Sequence, residues 1–144
     1  MEFTQQSVRV AVLDRPLDPA ATLEEVGRTN AGALAVFVGT VRDHSADRSN
    51  VTHLEYEAFE GRVGDVIGSI VEEAYRRWPI LAGVVEHRVG RVGLGEPAVV
   101  VAVSTAHRAD AFEAARYLID EVKKRAPLWK KEHWPGGAEW VEGA

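Results

Sequence analysis

The chain has 144 residues, of which 46% are hydrophobic and 27% are charged, so it is long enough for one globular domain and shows no compositional sign of disorder. It contains no cysteine, which excludes disulfides, thiolate nucleophiles and cysteine zinc sites on this chain. The net charge of −5 disfavours nucleic-acid binding, which usually needs a basic domain.

The chain shows no targeting segment and no internal division. Residues 1–6 lack the basic start and apolar run of a signal peptide, and no apolar stretch approaches the ~20 residues needed to cross a bilayer. We therefore expect a cytoplasmic location without membrane association. Because no repeat or linker interrupts the sequence, we also expect a single domain over residues 1–144.

The first half of the chain predicts three strands and one short helix. Alternating valines predict a strand over residues 7–13. Thr22 with Glu25 three positions later forms a capping box, which predicts a helix to about Arg28. Two strands, over residues 32–41 and 51–59, flank a polar loop, and we interpret them as a hairpin-like pair.

The second half contains two long helices. Apolar residues at helical spacing predict a helix over residues 62–78, ended by Pro79, and another over 108–125. Between them, two strands (84–92 and 97–104) are joined by a glycine-rich connection, and the second reads as buried on both faces.

A turn at residues 135–137 and a last strand near 139–141 complete the predicted order β-α-β-β-α-β-β-α-β. Successive strands with short connectors favour an α+β fold with a mixed, largely antiparallel sheet.

Two polar clusters follow strand ends. Residues 40–44 include Arg42 and His44, but a charged loop after a strand is most often a solvated turn. His107 and Arg108 stand where a buried strand passes into a helix, whose amino terminus attracts anions. From spacing alone, an anion site and a surface ion pair explain Arg108 equally well.

A third, basic cluster covers residues 123–131 and contains no acidic residue. Its cationic side chains are Lys123, Lys124, Arg125, Lys130 and Lys131. The helix dipole explains the first three but not the last two. We expect Pro127 and Trp129 to form a turn that returns Lys130 towards Lys123. Two neighbouring lysines lower each other's pKa, which suits acid–base or nucleophilic catalysis.

The sequence gives no sign of a metal or cofactor site. The five histidines contain no HxH or HExxH pattern, so we predict no bound metal and no cofactor. The glycines of residues 90–95 lie between two strands and are interpreted as a hairpin connection, not a phosphate loop. Glu55 and Glu57 share one strand face, and alternation explains them as solvent-facing groups better than as an acid–base pair.

Six ordered motifs carry a resemblance to a known family. They are FVGTVRDH (37–44), LEY (54–56), RWP (77–79), HRVG (87–90), STAHRADAF (104–112) and KKRAPLWKKE (123–132). Together they resemble the large, catalytic subunit of molybdopterin synthase over about residues 8–142. Leu128 departs from the family pattern, where an aromatic residue is expected, and we expect this to change packing but not chemistry.

The resemblance implies an enzyme of molybdenum cofactor biosynthesis. The family converts cyclic pyranopterin monophosphate (precursor Z) into molybdopterin by installing a dithiolene. The sulfur comes from the thiocarboxylate on the C-terminal Gly-Gly tail of a small, ubiquitin-like partner subunit. Two large subunits form a homodimer with a small subunit at each end, a heterotetramer, and the fold is an α/β hammerhead with an added antiparallel sheet.

The resemblance also implies site residues. Lys123 and Lys130 match the catalytic lysines; Lys123 is expected to do acid–base work on the intermediate, and Lys130 to lie beside the incoming tail. The positions that match substrate-binding residues are Thr40, Val41, Arg42, His107, Arg108, Lys131 and Glu132.

An alternative from another functional class is a noncatalytic anion-binding dimerisation module of the same fold. Such a module can use arginine at either lysine position, whereas acid–base work needs a group that loses a proton. Lysine at both Lys123 and Lys130 favours the enzyme. Single-stranded nucleic-acid binding by Trp129, Trp134 and the lysines is disfavoured by the acidic net charge.

Overall fold

A computed structural model describes residues 1–142, which form nine strands and three helices. In chain order the elements are β1 (Glu2–Gln5), β2 (Val8–Leu13), α1 (Pro19–Val26), β3 (Ala33–Thr40), β4 (His53–Ala58), α2 (Glu60–Arg77), β5 (Ala82–Arg88), β6 (Gly90–Gly93), β7 (Pro97–Thr105), α3 (Arg108–Arg125), β8 (Leu128–Trp134) and β9 (Gly137–Glu142).

The strands form two sheets. The larger has the order β1-β2-β5-β7-β3, in which only β2 and β5 run parallel. The smaller has the order β6-β4-β8-β9 and is antiparallel throughout. The predicted α+β class with mixed, largely antiparallel sheets is therefore confirmed.

The main core lies between the larger sheet and helices α2 and α3. In β7 every residue from Ala98 to Thr105 is buried, as the uninterrupted apolar run predicts for a central strand. Both helices bury one apolar stripe in this core, from Val63 to Ala74 in α2 and from Ala111 to Val122 in α3. The predicted bounds of α3 are confirmed. Within residues 1–142 no helix is long and apolar enough to span a bilayer.

The first helix begins earlier than the capping box predicts. Asp18 is its N-cap, since its carboxylate accepts a hydrogen bond from the Ala21 N–H at 3.2 Å, and Pro19 occupies the first helical position. Thr22 lies inside the helix, is buried, and donates its hydroxyl to the Pro19 carbonyl. The assignment of Thr22 as the cap was therefore wrong by one turn.

The two strands interpreted as a hairpin-like pair do not pair with each other. β3 lies at the edge of the larger sheet beside β7, whereas β4 lies inside the smaller sheet between β6 and β8. The long polar loop between them crosses from one sheet to the other.

The predicted strand over residues 84–92 is two strands in different sheets. Gly90 has a φ of +84°, a conformation that favours glycine, and it redirects the chain from β5 into β6. Gly90–Gly93 then pairs with β4, so this glycine-rich stretch is part of a sheet and not only a connection.

Strands β1 and β8 were not predicted. The turn expected after Pro127 is absent from residues 127–131, which enter β8 instead. Trp129 is not the packing anchor, since it is 40% exposed, whereas Leu128 is 2% exposed and belongs to the main core. The final strand was predicted correctly, although β9 extends from Gly137 to Glu142.

Replacing Leu128 with alanine tests this anchor. We expect Leu128→Ala to lower the free energy of unfolding by about 2–5 kcal/mol, because it removes a fully buried side chain and leaves a cavity. Urea denaturation measures the change. The control is Leu94→Ala, whose side chain is 49% exposed and should matter little. Equal effects of both substitutions would contradict this role for Leu128.

Candidate active site

A polar cavity of about 270 Å³ lies where the two sheets and the end of α3 meet. Four parts of the chain supply its wall: the end of β3 with its following loop, β4, the last turn of α3, and β8. The lining residues are Thr40, Val41, Arg42, His44, Ser45, Val51, Leu54, Tyr56, Lys123, Lys130 and Glu132. Two separate predicted clusters, 40–44 and 123–131, thus contribute to one cavity.

The loop after β3 is held by backbone hydrogen bonds. The pairing of β3 with β7 is irregular between Gly39 and Thr40, and the Val41 N–H then donates to the Glu96 carbonyl at 3.2 Å. The Val51 N–H donates to the Asp43 carbonyl at 2.9 Å, which closes the loop. Val41 and Val51 are buried beneath the cavity, so the intervening Arg42 has fixed neighbours on both sides.

The register of β4 against β8 places Lys130 and Glu132 in the cavity. Lys130 lies opposite Tyr56, and Glu132 lies opposite Leu54. Since alternate residues of a strand share a face, all four side chains point to the same side of the smaller sheet. Glu132 is only 6% exposed, which puts a carboxyl group at the buried end of the site.

Lys123 reaches the cavity from the last turn of α3. The helix ends at Arg125, since Pro127 disfavours its continuation. The Phe59 N–H donates to the Pro127 carbonyl at 2.9 Å, which joins the start of β8 to the end of β4. Helix and strand therefore meet at a fixed junction, from which Lys123 and Lys130 enter the same cavity.

The cations of the cavity are available to a ligand. Within the described part of the chain, Arg42, Lys123 and Lys130 make no close ion pair with a carboxylate. Three cationic side chains face Glu132 alone, so the site carries a positive excess. An enclosed positive site favours a small anionic ligand.

The pKa of Lys130 lies below the ordinary lysine value. Burial is the largest cause, and the charges of Lys123 and Arg42 lower the pKa further, whereas the Glu132 carboxylate raises it. The expected influence of Lys123 on Lys130 is present, but it is smaller than the effect of burial. Lys130 therefore gives up its proton more readily than a solvated lysine.

Tyr56 and His87 were not identified as site residues from the sequence. Burial raises the pKa of Tyr56 to about 12, so its hydroxyl stays protonated near neutral pH. His87 is 1% exposed and meets Tyr56 edge to face, with ring centroids 4.8 Å apart. Burial lowers the pKa of His87 to about 4, so the ring is neutral. The alternation of residues 54–58 predicts which strand face carries Tyr56. That face becomes part of a cavity only because β8, which was not predicted, pairs beside it and adds Lys130 and Glu132.

Three predicted residues lie outside the cavity of a single chain. Lys131 points to the opposite face of β8, where its Nζ lies 5.5 Å from the Trp140 ring centre. His107 and Arg108 are exposed at the first turn of α3. Arg108 and Lys123 are fifteen positions apart, about 22 Å along a helix at about 1.5 Å per residue.

Comparison with known families agrees with the geometry. The family model described as MoaE protein matches residues 12–125. The chain is also similar to the "Molybdopterin synthase catalytic subunit" of Halalkalibacterium halodurans. The two are 39% identical over 135 residues, which cover 94% of this chain and 86% of the relative.

Solved structures share the fold. Molybdopterin synthase from Staphylococcus aureus superposes with a TM-score of 0.84 at 32% identity, over 91% of this chain and 95% of that one. A complex of subunits 1 and 2 of the molybdopterin-converting factor from Helicobacter pylori gives a TM-score of 0.76 at 23% identity, over 92% and 90% of the chains. At that lower identity the likeness concerns the fold alone.

Substitution of the charged residues around Lys130 should shift its pKa up or down, depending on which charge is removed. We expect Glu132→Gln to lower the pKa of Lys130, since it removes the charge that raises it, and Arg42→Gln to raise it. Titration of labelled lysine side chains by NMR measures the shift, with the Lys130 signal assigned from its loss in Lys130→Arg. The control is Glu24→Gln, an exposed position on α1. A Lys130 pKa unmoved by both cavity variants would contradict the assigned causes.

Proposed function

The chain belongs to the MoaE protein family, and from this premise we propose how its cavity serves the reaction of a molybdopterin synthase catalytic subunit. That reaction converts precursor Z into molybdopterin by transfer of sulfur from a small carrier subunit. One observation carries the proposal: Lys123 and Lys130, from a helix end and a strand, enter one cavity together with Arg42.

The cationic wall binds the phosphate of the substrate. Arg42 offers a planar fork of N–H donors that suits phosphate oxygens, and Lys123 adds a second positive charge. Thr40 and Val41 shape the wall beside them, and Glu132 offers an acceptor for the N–H groups of a pterin ring. A cavity of about 270 Å³ fits part of such a ligand, which leaves its open side for the sulfur donor.

The two lysines divide the proton transfers. Lys130 is half-buried and its pKa is lowered by that burial, so it can exchange a proton with the attacking water as that water cleaves the thioester formed between the carrier tail and the new C–S sulfur. The cleavage leaves the sulfur on the substrate and releases the carrier tail as a carboxylate. Lys123 lies at the more exposed rim, where it acts as acid or base on the intermediate. The chain has no cysteine, which agrees with sulfur delivered by a partner.

We assign the sulfur donor to a small subunit with a Gly-Gly thiocarboxylate tail. A complex of two subunits has been solved for the Helicobacter pylori protein, which shares this fold. An extended glycine tail is narrow enough to reach a partly enclosed site. The cytoplasmic location expected from the sequence remains a prediction.

A second copy of the chain completes the site in this proposal. Because α3 separates His107 and Arg108 from Lys123 by about 22 Å, one chain cannot bring them to one substrate. In a homodimer, the first turn of α3 from one protomer can approach the cavity of the other. Lys131 lies on the reverse face of β8, over the Trp140 ring, so in this proposal it does not contact the substrate.

Substitution of the lysines tests their roles. We expect Lys123→Ala and Lys130→Arg each to reduce turnover by about 100-fold or more, the scale of general acid–base catalysis, while the fold and partner binding persist. The assay mixes the purified chain with thiocarboxylated small subunit and precursor Z and measures molybdopterin. Lys124→Ala is the matched control, since this exposed neighbour does not line the cavity. Normal turnover in Lys123→Ala would remove that residue from the mechanism.

Mixed dimers test the shared site. Dimers that combine one Lys123→Ala chain with one Arg108→Ala chain contain one pocket with both defects and one with neither, if each pocket uses both protomers. We therefore expect Lys123→Ala and Arg108→Ala each to lose activity alone, and activity to reappear when the two variants are dissociated and reassociated together. Absence of recovery in verified mixed dimers would place both residues in the pocket of one chain.

A further inference from the structure

A group of metal-ligating side chains lies on the reverse face of the smaller sheet. His53 and Glu55 of β4 point away from the cavity, and His133 of β8 lies directly opposite His53. Their ligand atoms all lie within 4.8 Å of one another. Cavity residues such as Lys130 occupy the alternate positions, so the group is separated from the cavity by the thickness of the sheet.

The Nε2 atom of His133 lacks a hydrogen-bond partner in this group. It lies 2.8 Å from Oε1 of Glu55, yet it is buried and has no hydrogen-bond partner within residues 1–142. The two observations agree if the oxygen is close but lies outside the direction in which the ring N–H would point. The contact is therefore a poor hydrogen bond, and an unpaired buried nitrogen calls for another partner.

The second histidine is oriented by its neighbour. Nδ1 of His53 lies 3.0 Å from the Thr52 hydroxyl, and that hydroxyl donates to the His133 carbonyl at 3.3 Å. Because the hydroxyl has one proton, it accepts from the Nδ1–H of His53, which leaves Nε2 of His53 with a free lone pair. Such a hydrogen bond from the distal ring nitrogen is typical of metal-binding histidines.

The two imidazole rings lie side by side. Their centroids are 4.2 Å apart and their planes differ by 15°. The stacking brings the two imidazole rings together on one face of the smaller sheet.

We propose that His53, Glu55 and His133 form a binding site for one divalent transition-metal ion, with Zn²⁺ as the best-suited probe. Two imidazole nitrogens and one carboxylate oxygen are a ligand set that Zn²⁺ accepts, with the fourth position left to water. Ligand atoms around tetrahedral Zn²⁺ are about 3.3 Å apart. The three ligand atoms here lie within 4.8 Å of one another, so each pair needs to approach by no more than about 1.5 Å.

The surroundings limit the affinity but keep the site open. Arg91 lies opposite Glu55 on β6, and Lys131 lies opposite it on β8, so two cations compete for the carboxylate. The side chain of Glu55 is 43% exposed and that of His133 is 21% exposed, which gives an ion access from solvent. A bound ion would join β4 to β8, the two strands that carry Tyr56 and Lys130.

The test measures metal binding by the full chain without an affinity tag. Isothermal titration with Zn²⁺ gives stoichiometry and affinity, and Co²⁺ substitution gives a visible absorption spectrum that reports the geometry. We expect one ion per chain and a rise in melting temperature with Zn²⁺, since binding to the folded state stabilises it. Absence of saturable binding would overturn the proposal.

Variants separate this site from other contacts. We expect Glu55→Gln and His133→Ala to weaken Zn²⁺ binding by more than tenfold, and Thr52→Val, which removes the orienting hydroxyl, to weaken it by about tenfold. Glu57→Gln is the matched control, since this exposed carboxylate lies on the same strand face. Glu55→Gln changes shape little, so its result stands even if His133→Ala fails to fold. Unchanged Zn²⁺ affinity in Glu55→Gln, or an equal loss in Glu57→Gln, would overturn the proposal. The contact between His133 and Glu55 would then be an ordinary histidine–carboxylate pair.

Discussion

The antiparallel pairing of β4 with β8 is the constraint on which the site depends. Its register sets Lys130 against Tyr56 and Glu132 against Leu54, so one hydrogen-bonded ladder determines which side chains face the cavity. The ladder begins where the Pro127 carbonyl accepts from the Phe59 N–H, and Leu128 anchors that end in the main core. Lys123 then enters from the helix that stops just before it. Positions far apart in the chain thus become neighbours through a single strand pair.

Much of the fold could be predicted from the sequence because its signals are local. Helical spacing of apolar residues specified α2 and α3, and an unbroken valine run specified β7. The strand β8 could not be predicted in the same way. Its sequence, Leu128–Trp134, is mostly charged and aromatic, and it becomes a strand because β4 and β9 pair with it on both sides. Tertiary pairing here overrides local pattern.

Only part of the site could be predicted, because some of its residues stand in sequence motifs and others are brought together only by strand pairing. Family motifs identified Lys123, Lys130 and Arg42, which do line one cavity. Tyr56 and His87 belong to two of the family motifs, LEY and HRVG, but nothing in those motifs marks them as site residues, since their place beside the cavity depends on the pairing of β4 with β8. The histidine pair behind the cavity was also missed, because His53 and His133 are joined only by strand register and not by close spacing in the chain. Patterns such as HxH detect ligands on one element, not across two.

Because β8 contains two adjacent lysines, the number of residues between Pro127 and Lys130 decides which lysine faces the cavity. Loss of one residue between Pro127 and Lys130 would bring Lys131 into the cavity, so a lysine would still be present there. The same shift would replace Glu132 with His133 on the inner face and would place Trp134 where His133 now meets His53. We conclude that the site tolerates many substitutions in β8 better than the insertion or deletion of a single residue there, since an insertion or deletion moves every following side chain to the other face of the sheet.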